Sequence, residues 1–168
     1  LNQSEAEAMA RALHRAGHRV VYDPAQADLC VLNSCAVTHV AARKTRQALR
    51  RLVAGRPGGR VLAVGCYAQL WPAELERIPG VEVLAGAAAK DELATLLEPA
   101  AGPNLQPLAS RRTRAFVKVQ DGCDNACTYC VVRLARGRER SRPLSEIRAE
   151  IDALCAEGVQ EVVLTGVH

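Results

Sequence analysis

"AFVKVQDGCDNACTYCVV", residues 115–132, joins a strand to a metal-binding pattern. Residues 115–120, "AFVKVQ", are rich in β-branched and aromatic side chains and read as a strand. Three cysteines follow in C-x3-C-x2-C spacing: Cys123, Cys127 and Cys130. Beyond them "SEIRAEIDALCAEG" (145–158) reads as a capped helix closed by Gly158, and "EVVLTG" (161–166) as a second strand. Strand, loop, helix, strand is the repeating element of an α/β barrel or an open α/β sheet. Only one repeat is present.

The residues before this unit alternate in the same way. "SEAEAMARALHRA" (4–16) carries apolar residues at helical spacing, with Ser4 or Asn2 as cap and Gly17 as stop. "RVVY" (19–22), "LCVLN" (29–33), "RVLAV" (60–64) and "VEVLAG" (81–86) read as short strands. Helices are expected at about 38–54, at 72–78 opened by Pro72, and at 90–98. This alternation predicts an α/β fold with a mostly parallel sheet. Residues 99–113, with three prolines and no clear period, read as an interdomain linker. The expected division is 1–98, a linker at 99–113, and a second unit at 114–168. A first helix with no strand before it and a last strand with no helix after it read as a piece of a longer protein.

The cysteines carry the chemistry. The chain has 168 residues and seven cysteines, with no secretory signal; clustered cysteines in that context bind metal more often than they form disulfides. A closed metal site takes four protein ligands, so three on one loop leave a coordination position open. Thiolates are soft ligands that suit iron–sulfur clusters, zinc or copper. Cys35 and Cys66 each follow a predicted strand, and ligands of a parallel sheet gather beyond its carboxyl ends. These two form a second candidate site. Cys30 lies inside a strand and Cys155 within a helix, where both read as core residues. His39, just inside a helix, reads as a capping or surface residue. No phosphate-binding glycine loop of the Walker type and no serine triad is visible.

Half of the residues are hydrophobic and the formal net charge is +4, values of an ordinary globular chain. No apolar run is long enough to span a bilayer. The charge is unevenly spread. Residues 29–73 contain Arg43, Lys44, Arg46, Arg50, Arg51, Arg56 and Arg60 and no acid. Residues 99–120 carry Arg111, Arg112, Arg114 and Lys118, again without an acid, and Arg133, Arg136, Arg138, Arg140 and Arg142 follow the cysteine loop. Each stretch suits a phosphate backbone, or else is a solvated basic face.

C-x3-C-x2-C with Tyr129 before its last cysteine resembles the radical S-adenosylmethionine signature. "NSCAVTHVAARKTRQ" (33–47), "GCYAQ" (65–69), "VKVQDGCDNACTYC" (117–130), "ARGRERSRP" (135–143) and "VVLTGVH" (162–168) resemble the methylthiotransferases of that superfamily. The likeness is greatest to the branch that modifies N6-threonylcarbamoyladenosine beside the tRNA anticodon.

The resemblance implies a 4Fe–4S cluster on Cys123, Cys127 and Cys130, with S-adenosylmethionine on its open iron. It implies Tyr129 against the cofactor's adenine, and Thr165 and Gly166 facing its amino acid moiety. It also implies an auxiliary 4Fe–4S cluster on Cys35, Cys66 and a third cysteine that would precede Leu1. The unit at 114–168 would begin a partial barrel of the TIM type, with an RNA-binding domain further on. The implied reaction is methylthiolation at C2 of the modified adenosine at tRNA position 37, in the cytoplasm, with an electron donor such as a flavodoxin or ferredoxin. Arg133 and Leu134 depart from the family, which commonly has a proline and an aromatic there. Related alternatives are methylthiolation of isopentenyladenosine in tRNA or of a ribosomal protein aspartate. An alternative of another class is a non-catalytic module with a structural zinc on the three loop cysteines.

Overall fold

The computed structural model describes residues 1–86, 93–97 and 113–167. The expected linker, and Arg111 and Arg112 within it, lie outside the described residues apart from Thr113. So does much of the helix expected at 90–98.

β1 (Leu29–Ser34), β2 (Arg60–Gly65) and β3 (Val81–Val83) form a parallel sheet in that order. β2 is central and buried along Val61, Leu62, Ala63 and Val64. Successive side chains point to opposite faces, so an unbroken apolar run is what a strand covered on both sides requires. On one face Val61 and Ala63 meet α2 (His39–Ala54), α3 (Cys66–Leu70) and α4 (Pro72–Glu76) through Leu49, Tyr67 and Leu75. On the other, Leu62 and Val64 meet α1 (Asn2–Arg15) through Met9, and α5 (Leu93–Leu96) through Leu93.

β4 (Arg114–Lys118) and β7 (Glu161–Thr165) are parallel partners joined through α7 (Leu144–Ala156). Ile147, Ile151 and Leu154 of α7 pack on Ala115, Val117 and Val162. This is the βαβ unit read from the sequence. β5 (Gln120–Asp121) and β6 (Arg140–Ser141) pair antiparallel, a feature the sequence reading did not contain. They draw the cysteine loop and α6 (Val132–Arg136) into one closed excursion. Among the described residues no helix is long and apolar enough to cross a membrane.

Four expectations are corrected. "RVVY" is not a strand: residues 19–22 are irregular, Tyr22 is exposed, and β1 has only β2 as partner among the described residues. An apolar run becomes a strand only with a ladder to join. Here Val20 and Val21 instead line a groove of about 480 Å³ between α1 and β1. Neither Asn2 nor Ser4 caps α1. The cap is Leu1, Ser4 is buried, and Asn2 exchanges hydrogen bonds with Asn33 of β1 at 3.1 and 3.0 Å. The helix expected at 145–158 has no side-chain cap: α7 starts at Leu144 behind Pro143. Cys155 is exposed rather than core, because its neighbour Leu154 holds the inward position of that turn.

Candidate functional site

β1 and β2 end in register, Ser34 opposite Gly65, so Cys35 and Cys66 leave neighbouring parallel strands at the same level. The buried Ser34 hydroxyl donates to the Val64 carbonyl and accepts from the Ala68 amide at 3.1 Å, locking both strand ends to α3. Thr45 of α2 fastens the other side. Its hydroxyl donates to the Cys35 carbonyl at 3.1 Å and accepts from the Cys35 amide at 3.4 Å. Cys35 is half-buried and Cys66 buried.

Cys66 and Cys123 each follow a glycine, one at each candidate site, and both glycines are obligatory. Gly65 has φ +91°, and a Cβ there would lie 2.3 Å from Asn33 Oδ1 and 2.7 Å from the Ser34 carbonyl oxygen. Gly122 has φ +74°, and its Cβ would lie 2.0 Å from the Arg138 carbonyl oxygen. L-residues avoid positive φ, and no side chain fits these corners.

On the cysteine loop, Cys123 is half-buried and Cys127 and Cys130 are exposed. The Cys123 amide donates to the Gly137 carbonyl at 3.2 Å, and the Cys130 amide to the Cys127 carbonyl at 3.1 Å. Asp124 closes the loop, accepting from Arg138 and from the Glu139 amide; these bonds, Arg138 first, hold its carboxyl below the ordinary range. Gln120 ties the loop to the end of β7. It donates to the Gly122 carbonyl and accepts from the Val167 amide, both at 2.7 Å. Val167, directly after Gly166, is thereby linked to Gly122 through one side chain, and Gly166 lies against Gln120. Tyr129 stands in solvent at 91% exposure. Cys30 is buried in the sheet core, away from these corners, as its mid-strand position implied.

The two corners are adjacent. α3, which begins at Cys66, packs on α6, which follows Cys130. Arg136 of α6 is buried and donates to Glu5 and Asp121. Burial alone would lower its basicity. Its hydrogen bonds and charge pairing with Glu5, then the nearby Cys66 and Asp121, outweigh that and raise its pKa well above the ordinary value. Arg136, Gln120 and both obligatory glycines were not singled out from the sequence as site residues. The repeated Gly-Cys pair was the visible signal.

The basic stretches divide sharply. Arg60 pairs with Glu82, Arg114 with Glu161, Arg138 with Asp124, and Arg142 with Glu150. Arg46 packs over the Tyr67 ring and bonds its hydroxyl, with Glu74 at 3.7 Å. In the stretch after the cysteine loop, Arg136, Arg138 and Arg142 thus pair with acids, while Arg133 and Arg140 are exposed. Arg43, Lys44, Arg50 and Arg51 are different: they share the exposed face of α2 and have no acidic partner among the described residues.

No three His, Cys, Asp or Glu side chains converge on the position of a single ion among the described residues. The donor set does suit a larger sulfur-bridged cluster. Cys123, Cys127 and Cys130 are in no disulfide, none of their sulfurs has a hydrogen-bond partner among the described residues, and all three reach solvent. Thiolate ligands are the preference of iron–sulfur centres. At the second corner, Cys35 and Cys66 leave neighbouring strands at one level and neither is in a disulfide.

Residues 1–86 match "Uncharacterized protein family UPF0004" and residues 117–168 match the radical SAM superfamily. The chain is 34% identical to the threonylcarbamoyladenosine tRNA methylthiotransferase MtaB of Bacillus subtilis, over 100% of this chain and 41% of that protein. It is 33% identical to the ribosomal protein uS12 methylthiotransferase RimO of an Anaeromyxobacter species, over 97% of this chain and 39% of the relative. It is 37% identical to the tRNA-2-methylthio-N(6)-dimethylallyladenosine synthase of Sphingopyxis alaskensis, over 99% of this chain and 41% of the relative. The chain thus spans about two fifths of the length of the curated relatives it matches. It belongs to family UPF0004, whose match covers just over half of it, and the radical SAM match follows in the same polypeptide.

Proposed function

We propose that this protein methylthiolates C2 of N6-threonylcarbamoyladenosine at tRNA position 37. Cys123, Cys127 and Cys130 would hold the 4Fe–4S cluster that binds S-adenosylmethionine, and Cys35 and Cys66 would contribute to the auxiliary cluster. When bound, the first cluster and its cofactor supply hydrogen abstraction at an unactivated carbon, begun by a single electron. The remaining work belongs to the chain. Gly65 and Gly122 turn the cysteines out of their strands. Gln120 holds the end of β7, with Thr165 and Gly166, beside the loop, where a cofactor's amino acid end would lie. Tyr129 is free to close over an adenine ring. A flavodoxin or ferredoxin would deliver the electron, in the cytoplasm. The domain division 1–98 and 114–168 is part of the same reading.

The observation that carries the choice of RNA over protein as substrate is the outer face of α2. Four exposed cations without acidic partners among the described residues run along a helix that starts four residues after Cys35. Such a stripe suits a phosphate backbone. An anticodon loop also offers its bases unstacked, which lowers the cost of reaching C2. The choice between two tRNA adenosines rests on the likeness of "AVTHVAARKTRQ" and "QDGC" to the threonylcarbamoyl branch.

The test uses full-length protein, reconstituted anaerobically and given S-adenosylmethionine, a reductant and one of three substrates. These are tRNA bearing the threonylcarbamoyl group, tRNA bearing the isopentenyl group, and ribosomal protein uS12. The expected product is the 2-methylthio nucleoside from the first tRNA, lost when all three loop cysteines are alanine. Product from either other substrate alone would overturn the assignment.

A further inference from the structure

We propose that Arg136 is a positioning residue. With Glu5, Asp121 and Lys118 it forms a buried ionic bridge that holds the Cys123/Cys127/Cys130 loop against the Cys35/Cys66 corner. What the two corners do rests on the function proposed above; the bridge rests on its own geometry.

The Arg136 guanidinium meets Glu5 in a two-point pair, at 2.7 and 3.2 Å, although the residues are 131 apart in the chain. The nitrogen making the shorter bond also donates to Asp121 at 2.9 Å. Lys118 lies 3.1 Å from Asp121 and 3.6 Å from Glu5. The side chains of Arg136, Glu5 and Asp121 are 7%, 3% and 9% exposed. Among the described residues, two carboxylates and two cations meet in this largely buried junction.

The bridge reaches every segment that carries a candidate ligand. Asp121 precedes Cys123 by two residues and accepts the Gly122 amide at 2.9 Å. Arg136 follows Cys130 by six residues, so one guanidinium secures both ends of the cysteine loop. Glu5 accepts from Asn33 at 3.4 Å, two residues before Cys35. Cys66 begins α3, which packs on α6, the helix that carries Arg136.

Stability alone does not call for such a cluster. Apolar side chains of similar volume commonly stabilise a buried junction as well as ions do, because charges must first lose their water. What a two-point guanidinium–carboxylate pair adds is direction: it fixes an angle as well as a distance. Direction matters where two groups of ligands, far apart in sequence, must face one another.

The test uses the full-length protein with Glu5→Gln, Arg136→Gln and Arg136→Lys. Glu5→Gln keeps the shape of the side chain, so folding is retained if the arginine variants fail. The first readout is hydrogen exchange on metal-free protein, which needs no activity. Exchange should accelerate at least about tenfold at α1 and at residues 121–137, as expected for losing one charge-assisted bond. It should be unchanged in α2 and β2. Lysine keeps the charge but lacks the fork, so Arg136→Lys should behave like Arg136→Gln. The second readout, on reconstituted enzyme, is methylthio product formed per 5′-deoxyadenosine released. That ratio should fall while 5′-deoxyadenosine persists. Uniform acceleration through α2 and β2 would mark a general stability role and overturn the proposal. So would wild-type exchange in Arg136→Lys. A wild-type enzyme giving no methylthio product would sink the proposed function and leave the exchange result standing.

Discussion

Gly122→Ala is the perturbation that most directly probes how the cysteine loop is built. Gly158→Ala is its control. Both glycines have positive φ, +74° and +89°, so alanine costs roughly 1–2 kcal/mol of backbone strain at either. They differ in surroundings. A Cβ at Gly158 meets nothing within 4 Å, whereas one at Gly122 falls 2.0, 2.6 and 2.8 Å from backbone atoms of Arg138 and Gly137. Backbone cannot swing aside as a side-chain tip can, so the β5–β6 closure must open. The bonds at risk are Cys123 amide to Gly137 carbonyl and Gly122 amide to Asp121, at 3.2 and 2.9 Å. Each is worth about 0.5–1.5 kcal/mol. Gly122→Ala should therefore cost roughly 2–5 kcal/mol, a large part of a typical total of about 5–15 kcal/mol. Gly158→Ala should cost only its strain. Urea denaturation of the metal-free proteins measures both, and iron bound after reconstitution should fall for Gly122→Ala alone. Equal costs for the two variants, within about 0.5 kcal/mol, would show that the collision is relieved cheaply and refute the reasoning.

Tyr67→Phe should cost about 1 kcal/mol in the same denaturation assay, because the hydroxyl donates to Glu74 at 2.6 Å and accepts from Arg46. Burial and then Glu74 push the Tyr67 phenol above 10.0, so Glu74→Gln should move its spectrophotometric titration down; an unmoved curve would contradict this. Asp124 titrates below 3.8 because Arg138 and the Glu139 amide bond its charged form. Its contribution to stability is present above the unfolded carboxyl's pKa and is lost as pH falls through the lower folded value. Carboxyl-detected NMR should show Asp124 returning toward 3.8 in Arg138→Ala, and no change would refute the pairing.

The strands that were legible are those whose composition agreed with their surroundings. β1, β2, β4 and β7 carry apolar runs that find parallel partners, and Cys35 and Cys66 fell where strand ends were expected. "RVVY" has equal β-propensity but no partner, and a ladder is a property of two segments. Charge is ambiguous in sequence for the same reason. A basic stretch in sequence shows each arginine without the carboxylate that meets it in space. Glu5 lies 131 positions from Arg136, and no local pattern announces that pair. In α2, four cations sit on the outward side of one amphipathic helix, at spacings visible in the text. Arg46, on the same helix, points instead to Tyr67 and Glu74. The line between a surface cation and a structural one was therefore drawn by helical phase and by contacts distant in sequence. That is also why the three loop cysteines could be read as ligands while the residues that hold them in place could not. Ligand chemistry is set by residue type and spacing, whereas positioning is set by the partner that folding brings near.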